Sequence, residues 1–184
     1  VCWLFIVSGL TFWLWMMCCH EFGHVLHAWL TGGTVTKVVL HPLAISRTDI
    51  SPNPSPRLVV WGGPLWGVVV PLLISVMFRW RRWRGSKWLD AFAGFCLIAN
   101  GLYLASGILD PAGDTEELLR LGTPAWALLA AGGPMAIGGV LLWHRLGKAF
   151  GTRNVETAAL QWAAVVTTLI LVGSAMIMWL VGGV

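Results

Sequence analysis

Two histidines four residues apart, His20 and His24, enclose Glu21, Phe22 and Gly23 in the order His-Glu-x-x-His. On a helix, residues four apart stack on one face, so the two imidazoles stand side by side. Two neutral imidazoles at that spacing can bind one zinc ion, and Glu21 can serve a zinc-held water as general base. So short a motif also arises by chance. Here it lies inside an apolar run that starts at Val1 and continues past Trp29. A carboxylate and two imidazoles at membrane depth are expensive, so their presence needs a reason. The chemistry these residues imply is peptide hydrolysis by an activated water within a bilayer.

A catalytic zinc site usually has three protein ligands and an open position. The third must come from elsewhere in the chain: Asp110, Asp114, Glu116, Glu117, Glu156, His27, His41 or His144. Which of them can reach the pair depends on the elements that carry them.

The chain has 184 residues, of which 57% are hydrophobic and only 11% charged, with a mean hydropathy of +0.76. Soluble domains carry about a quarter charged residues, so this is a membrane protein with little room for a soluble domain. A span needs about twenty mostly apolar residues. Five stretches qualify: 3–30, 58–78, 88–109, 124–146 and 158–181. The chain opens on Val1 instead of methionine, as a trimmed chain or a fragment does. The first run is too long for a signal peptide, lacks a basic leader and holds the motif, so it reads as a true span. The expected fold is an all-α polytopic membrane protein of about five transmembrane helices.

Between the first two spans, residues 34–40 are rich in β-branched side chains and read as a strand. Residues 44–50 supply a partner, which gives a short β-hairpin over 34–50; it either dips toward the motif and covers it or lies plainly on the surface, and the sequence does not separate the two. The Pro-rich stretch 51–56 then forbids regular structure. Residues 115–121 read as a short amphipathic helix in an acidic connection. Thirteen Trp, among them Trp3, Trp61, Trp80, Trp83, Trp88, Trp126, Trp143 and Trp179 near span ends, read as an interfacial belt. Arg79, Arg81, Arg82, Arg84 and Lys87 sit between two spans and read as an anchor on anionic lipid, not as a nucleic-acid patch. Asp90 is expected to pair with Arg84 or Lys87. Cys2, Cys18, Cys19 and Cys96 have no paired spacing and read as core or lipid-facing residues.

Depth now narrows the ligand search. The motif lies toward the C-terminal end of the first span. With five spans, the same side carries the connections at 31–57 and 110–123, and the opposite side carries His144 and Glu156. Asp110 and Asp114 both lie at the right depth. His27 shares the helix face with His20 and His24 and is expected to face a polar cavity. Asn100, in the third span, needs a hydrogen bond. It serves either the substrate backbone and oxyanion or another helix.

The chain resembles the site-2 protease family of intramembrane zinc metalloproteases in three places. One is the run from His20 to Ala28. The second is Gly62-Gly63-Pro64-Leu65-Trp66-Gly67, similar to a small-residue-Gly-Pro element that the family carries in its second core span. The third is Asp114 followed by Leu118, Leu119 and Arg120. The family's aspartate ligand normally precedes a glycine, whereas Asp114 follows Gly113 and precedes Thr115, and Asp110-Pro111 is a competing match. Asn100 stands where the family has Asn-x-x-Pro, without the proline. The likeness covers about the first 120 residues on these span lengths.

The resemblance implies a three-helix metalloprotease core over 1–123, with two additional transmembrane helices over 124–184. It implies zinc held by His20, His24 and Asp114 (alternatively Asp110), with Glu21 as the catalytic base. Asn100, Gly62, Gly63 and Pro64 become possible substrate-binding residues, the glycines by letting backbones approach closely. The expected partners are a transmembrane protein substrate and membrane lipid, without nucleic acid; the oligomeric state is open. The expected location is multi-pass in a membrane, of the bacterial cell type. A catalytically silent helix-binding relative and a zinc or proton transporter are the rival readings. Orientation divides the indications. The basic connections put their own side in the cytoplasm, whereas family members usually open their active site to the cytoplasm.

Overall fold

The computed structural model describes residues 2–42, 46–83, 85–151 and 157–181. Among these, six helices and one hairpin follow in order: α1 (Cys2–Leu30), β1 (Val35–Val39), β2 (Arg47–Ile50), α2 (Pro56–Trp80), α3 (Ser86–Ser106), α4 (Asp114–Arg120), α5 (Ala125–Gly151) and α6 (Thr157–Val181). Five helices, all but α4, are long and apolar enough to cross a membrane. The expected all-α membrane fold with a hairpin between the first two spans is what forms.

Local chemistry sets the boundaries. At the end of α1 the chain turns through Gly32, whose φ of 76° suits glycine, and the Gly33 N–H returns to the Ala28 carbonyl at 2.7 Å. That reversal sends the chain into β1, which pairs antiparallel with β2, Val38 opposite Thr48 and Val39 opposite Arg47. The second strand is shorter than the expected 44–50; Ala44 and Ile45 lie outside the described residues. Pro56 opens α2, where its missing N–H is no loss. The third span stops at Ser106, three residues short of the expected end, where Gly107 caps the helix.

Helix α1 lies between α2 and α6, and α3 lies between α2 and α5. Two of these contacts are lined by glycine. A Cβ on Gly62 would meet the Gly23 carbonyl oxygen at 2.5 Å, and one on Gly101 would meet the Ala136 nitrogen at 2.5 Å. In lipid no hydrophobic effect drives helices together, so backbone approach of this kind supplies contact area. One apolar cluster, with Phe12, Met16, Phe92 and Cys96, joins α1, α3 and α6; a second, Leu104, Leu118 and Leu128, joins α3, α4 and α5.

Trp3, Trp80, Trp126 and Trp179 are well exposed, as an interfacial belt requires. Trp88 is not part of it: its ring lies 4.8 Å from Phe12 and 5.5 Å from Trp15, inside the bundle. Trp61 likewise packs against the second apolar cluster. Asp90 takes a hydrogen bond from Ser75 across α2 and α3; Arg84, one of its expected partners, lies outside the described residues.

Candidate metal centre

Helical spacing on α1 sets His20 and His24 with ring centroids 5.0 Å apart. Asp114, first residue of α4, meets them: its Oδ2 lies 2.7 Å from His20 Nε2 and 3.3 Å from His24 Nε2. One ligand atom from each of the three falls within 4.8 Å of the others, the single such group among the described residues. Burial raises the Asp114 carboxyl, but the two imidazoles, when protonated and donating from Nε2, outweigh that and hold it below the usual carboxylate range.

The far side of each ring fixes which nitrogen carries a proton. His24 Nδ1 lies 2.9 Å from the Val59 carbonyl oxygen, which can only accept. His20 Nδ1 lies 3.1 Å from Asn100 Oδ1. The Asn100 amide cannot be turned around, because its Nδ2 donates to the Cys96 carbonyl at 3.0 Å. Both rings therefore donate from Nδ1 and present the Nε2 lone pair to Asp114. Three electron-rich atoms converge, and a cation, whether metal or proton, must lie among them for the cluster to be attractive. Two imidazoles and one carboxylate are also a set that zinc accepts. Small size across the way keeps this volume clear, since a Cβ on Gly63 would run into both Nε2 atoms. The residues present fit the ion that the motif implies.

Asp114 owes its position to a turn that only glycine permits. Gly113 has φ 56°, and a Cβ there would lie 2.8 Å from the Tyr103 hydroxyl. That hydroxyl accepts the Asp114 N–H at 2.7 Å and donates to the Ala112 carbonyl at 3.0 Å. Thr115, buried, also donates to Ala112 at 2.9 Å. The short helix is thus tied to the end of α3, and its first side chain points at the histidines.

Glu21 is buried beside the ligands and accepts a hydrogen bond from Thr48 Oγ1 at 2.7 Å. It faces a cavity of about 1010 Å³. Apolar side chains of α1 (Trp13, Met16, Met17) and of α2 and α3 (Val59, Val60, Ala99) form part of its wall, and β2 forms another part. The hairpin therefore dips to the site instead of lying on the surface.

Other expectations resolve differently. Asp110 is exposed and stays away from the histidines, so Asp114 is the acid that meets them. His27 does not face a polar cavity. Its Nδ1 donates to the Leu58 carbonyl at 2.6 Å and its Nε2 accepts from Trp66 Nε1 at 3.1 Å, which pins α1 to α2. His41 is buried against Trp179, His144 is exposed, Glu117 pairs with Arg120, and Glu156 lies outside the described residues. Asn100, 2% exposed, bonds His20 across helices and the Cys96 carbonyl within α3, and it also lines the cavity. Gly62 and Gly63 do allow close approach, but of α1 itself, at the Gly23 backbone and at the two Nε2 atoms; neither they nor buried Pro64 line the cavity. Tyr103, Thr48 and the Val59 carbonyl were not anticipated. The one signal was that Tyr103 is the single tyrosine of the chain, set in an apolar span.

No curated protein sequence and no solved structure matches the chain. The profile of the Peptidase M50B-like family matches residues 2–106, more than half of the sequence, and takes in the histidine pair, Glu21 and Asn100 but stops short of Asp114. Those peptidases are metalloproteases. With that match, five membrane-length helices and a histidine pair met by an aspartate, the chain belongs to the Peptidase M50B-like family, the site-2 protease family.

Proposed function

We propose that this protein is an intramembrane zinc endopeptidase that cuts membrane-anchored proteins. The observation that carries the reading is the convergence of His20 Nε2, His24 Nε2 and Asp114 Oδ2, with Glu21 on the same helix and open to the same cavity. His20, His24 and Asp114 would hold the ion. The chemistry zinc supplies in such a site is acidification of water, to a pKa of about 7, and polarisation of a carbonyl.

The rest falls to the chain. Asn100 and the Val59 carbonyl hold the two rings with Nε2 turned inward. The Glu21 carboxylate takes the proton of the attacking water and returns it to the leaving nitrogen. The apolar wall from Trp13 to Met17, with Val59, Val60 and Ala99, suits side chains of a membrane-derived segment. Such a segment enters unwound, because the amides of an intact helix are bonded to one another. The polar hairpin wall gives the freed amides somewhere to bond.

The test is purification of the full chain, measurement of bound zinc, and cleavage of a model transmembrane substrate beside Glu21→Gln. The expected result is one zinc per chain in both proteins and cleavage only in wild type. Cleavage that survives the substitution, or wild type that binds no zinc, would overturn the reading.

A further inference from the structure

The hairpin supplies none of the ligands, yet one of its side chains reaches the site. Strand β2 reads Arg47-Thr48-Asp49-Ile50, and alternate residues point to opposite faces. Arg47 and Asp49 share one face and pair with each other at 3.4 Å. Thr48 takes the other face, opposite Val38 in the ladder, and its Oγ1 donates to Glu21 Oε2 at 2.7 Å. The acceptor is a carboxylate only 4% exposed, on a membrane-length helix. A buried carboxylate without a donor has no preferred orientation and is poorly accommodated. Thr48 supplies the donor, and it does so from an element that walls the cavity a substrate would enter.

We propose that Thr48 is a positioning residue for the base. Its hydroxyl holds Oε2, which turns Oε1 toward the cavity to receive the water's proton. Because the hydroxyl belongs to β2, seating the hairpin over the cavity and aligning the base are one event. The bond is already made without a substrate, so the base is aligned before a peptide enters, and a hairpin displaced from the cavity would leave Glu21 without its donor. The proposal rests on the peptidase reading above and adds to it a means of control.

Thr48→Val keeps the shape and strand preference of the side chain but removes the donor; Thr48→Ser keeps the donor. With the same model substrate, Thr48→Val is expected to lower kcat about tenfold or more, a part of what general base catalysis contributes. KM stays within about twofold on that account, and bound zinc is unchanged, as expected of a group that acts on the base and not on binding. Thr48→Ser is expected to restore most of kcat. A Thr48→Val protein that cleaves like wild type, a Thr48→Ser protein as impaired as Thr48→Val, or a change confined to KM would each overturn the proposal. A second measurement needs no turnover. If the bond holds the hairpin down, Glu21→Ala speeds amide exchange in β2 relative to wild type; unchanged exchange would overturn it. Wild type that fails to cleave would sink the peptidase reading itself, whereas cleaving wild type with an indifferent Thr48→Val would sink this proposal alone.

Discussion

At the scale of single residues, the centre works through what stands behind each ligand. His20 and His24 were legible from sequence because their types, spacing and apolar setting have no ordinary structural explanation. The acid was legible only as one of two. Asp110 and Asp114 sit at the same depth, and what separates them is the turn at Gly113 and its hold by Tyr103. A backbone carbonyl, such as that of Val59 behind His24, leaves no trace in sequence at all. Two predictions belong here. Asp114→Ala is expected to lose zinc while Asp110→Ala retains it, read by metal analysis after dialysis; the reverse pattern would mean that the acid seen beside the histidines is not a ligand. Asn100→Ala frees the His20 ring to turn and should weaken zinc binding roughly 10- to 100-fold by competition with a chelator, as loss of an outer partner typically does. Affinity equal to wild type would show that α1 alone orients the ring.

Among elements, the crossing of α1 and α2 decides whether the ligands meet anything. Gly23 and Gly62 lie backbone to backbone, and the next residue, Gly63, leaves room for both imidazoles. From sequence the Gly62-Gly63-Pro64 run suggested close approach but not of what, since a small side chain states only that space is needed. The space admits a neighbouring helix and its histidines. His27 strengthens the same crossing through Leu58 and Trp66, a use hidden in sequence by its resemblance to a spare ligand. The hairpin was legible as an element from its β-branched run, and its contact with Glu21 was not, because one threonine in a short strand carries no signal of what it faces. Gly62→Ala must push its methyl into the Gly23 backbone. It is expected to destabilise the bundle by about 1–3 kcal/mol, the usual range for overpacking, seen as a lower unfolding temperature in detergent. Gly63→Ala is expected to reduce zinc occupancy more than stability, because its methyl meets the two Nε2 atoms. If Gly63→Ala binds zinc as wild type does, the ion is held away from α2.

Across the whole molecule, charge is divided by side. Arg79, Arg81, Arg82, Arg84 and Lys87 lie in and beside the connection from α2 to α3, and Arg145, Lys148 and Arg153 lie at the end of α5 and just beyond it; these are eight of the twelve Lys and Arg in the chain. Lys37, Arg47, Arg57 and Arg120 are on the other side, together with Asp49, Asp110, Asp114, Glu116 and Glu117. The fold has that alternation: Trp3 bonds Thr168 and Trp15 bonds Ser174, so α6 runs parallel to α1, while Gly94 faces Trp143 and Gly101 faces Ala136, so α5 runs antiparallel to α3. Short connections rich in Lys and Arg stay in the cytoplasm, and acidic residues count little. On that rule the basic side is cytoplasmic, and the hairpin, α4 and the metal centre lie toward the opposite face. The family resemblance implies the reverse; on the charge rule a cut would fall in the outer half of a membrane-anchored protein. Two single cysteines decide it. Glu116→Cys lies exposed on α4, and Gly147→Cys lies exposed near the other end of α5 with open space around its Cβ. With a membrane-impermeant maleimide on intact cells, labelling above the parent is expected at Glu116→Cys, and at Gly147→Cys only after the cells are opened. The opposite pattern would return the metal centre to the cytoplasmic side and show that packing of the core, not the basic connections, governs how this chain inserts.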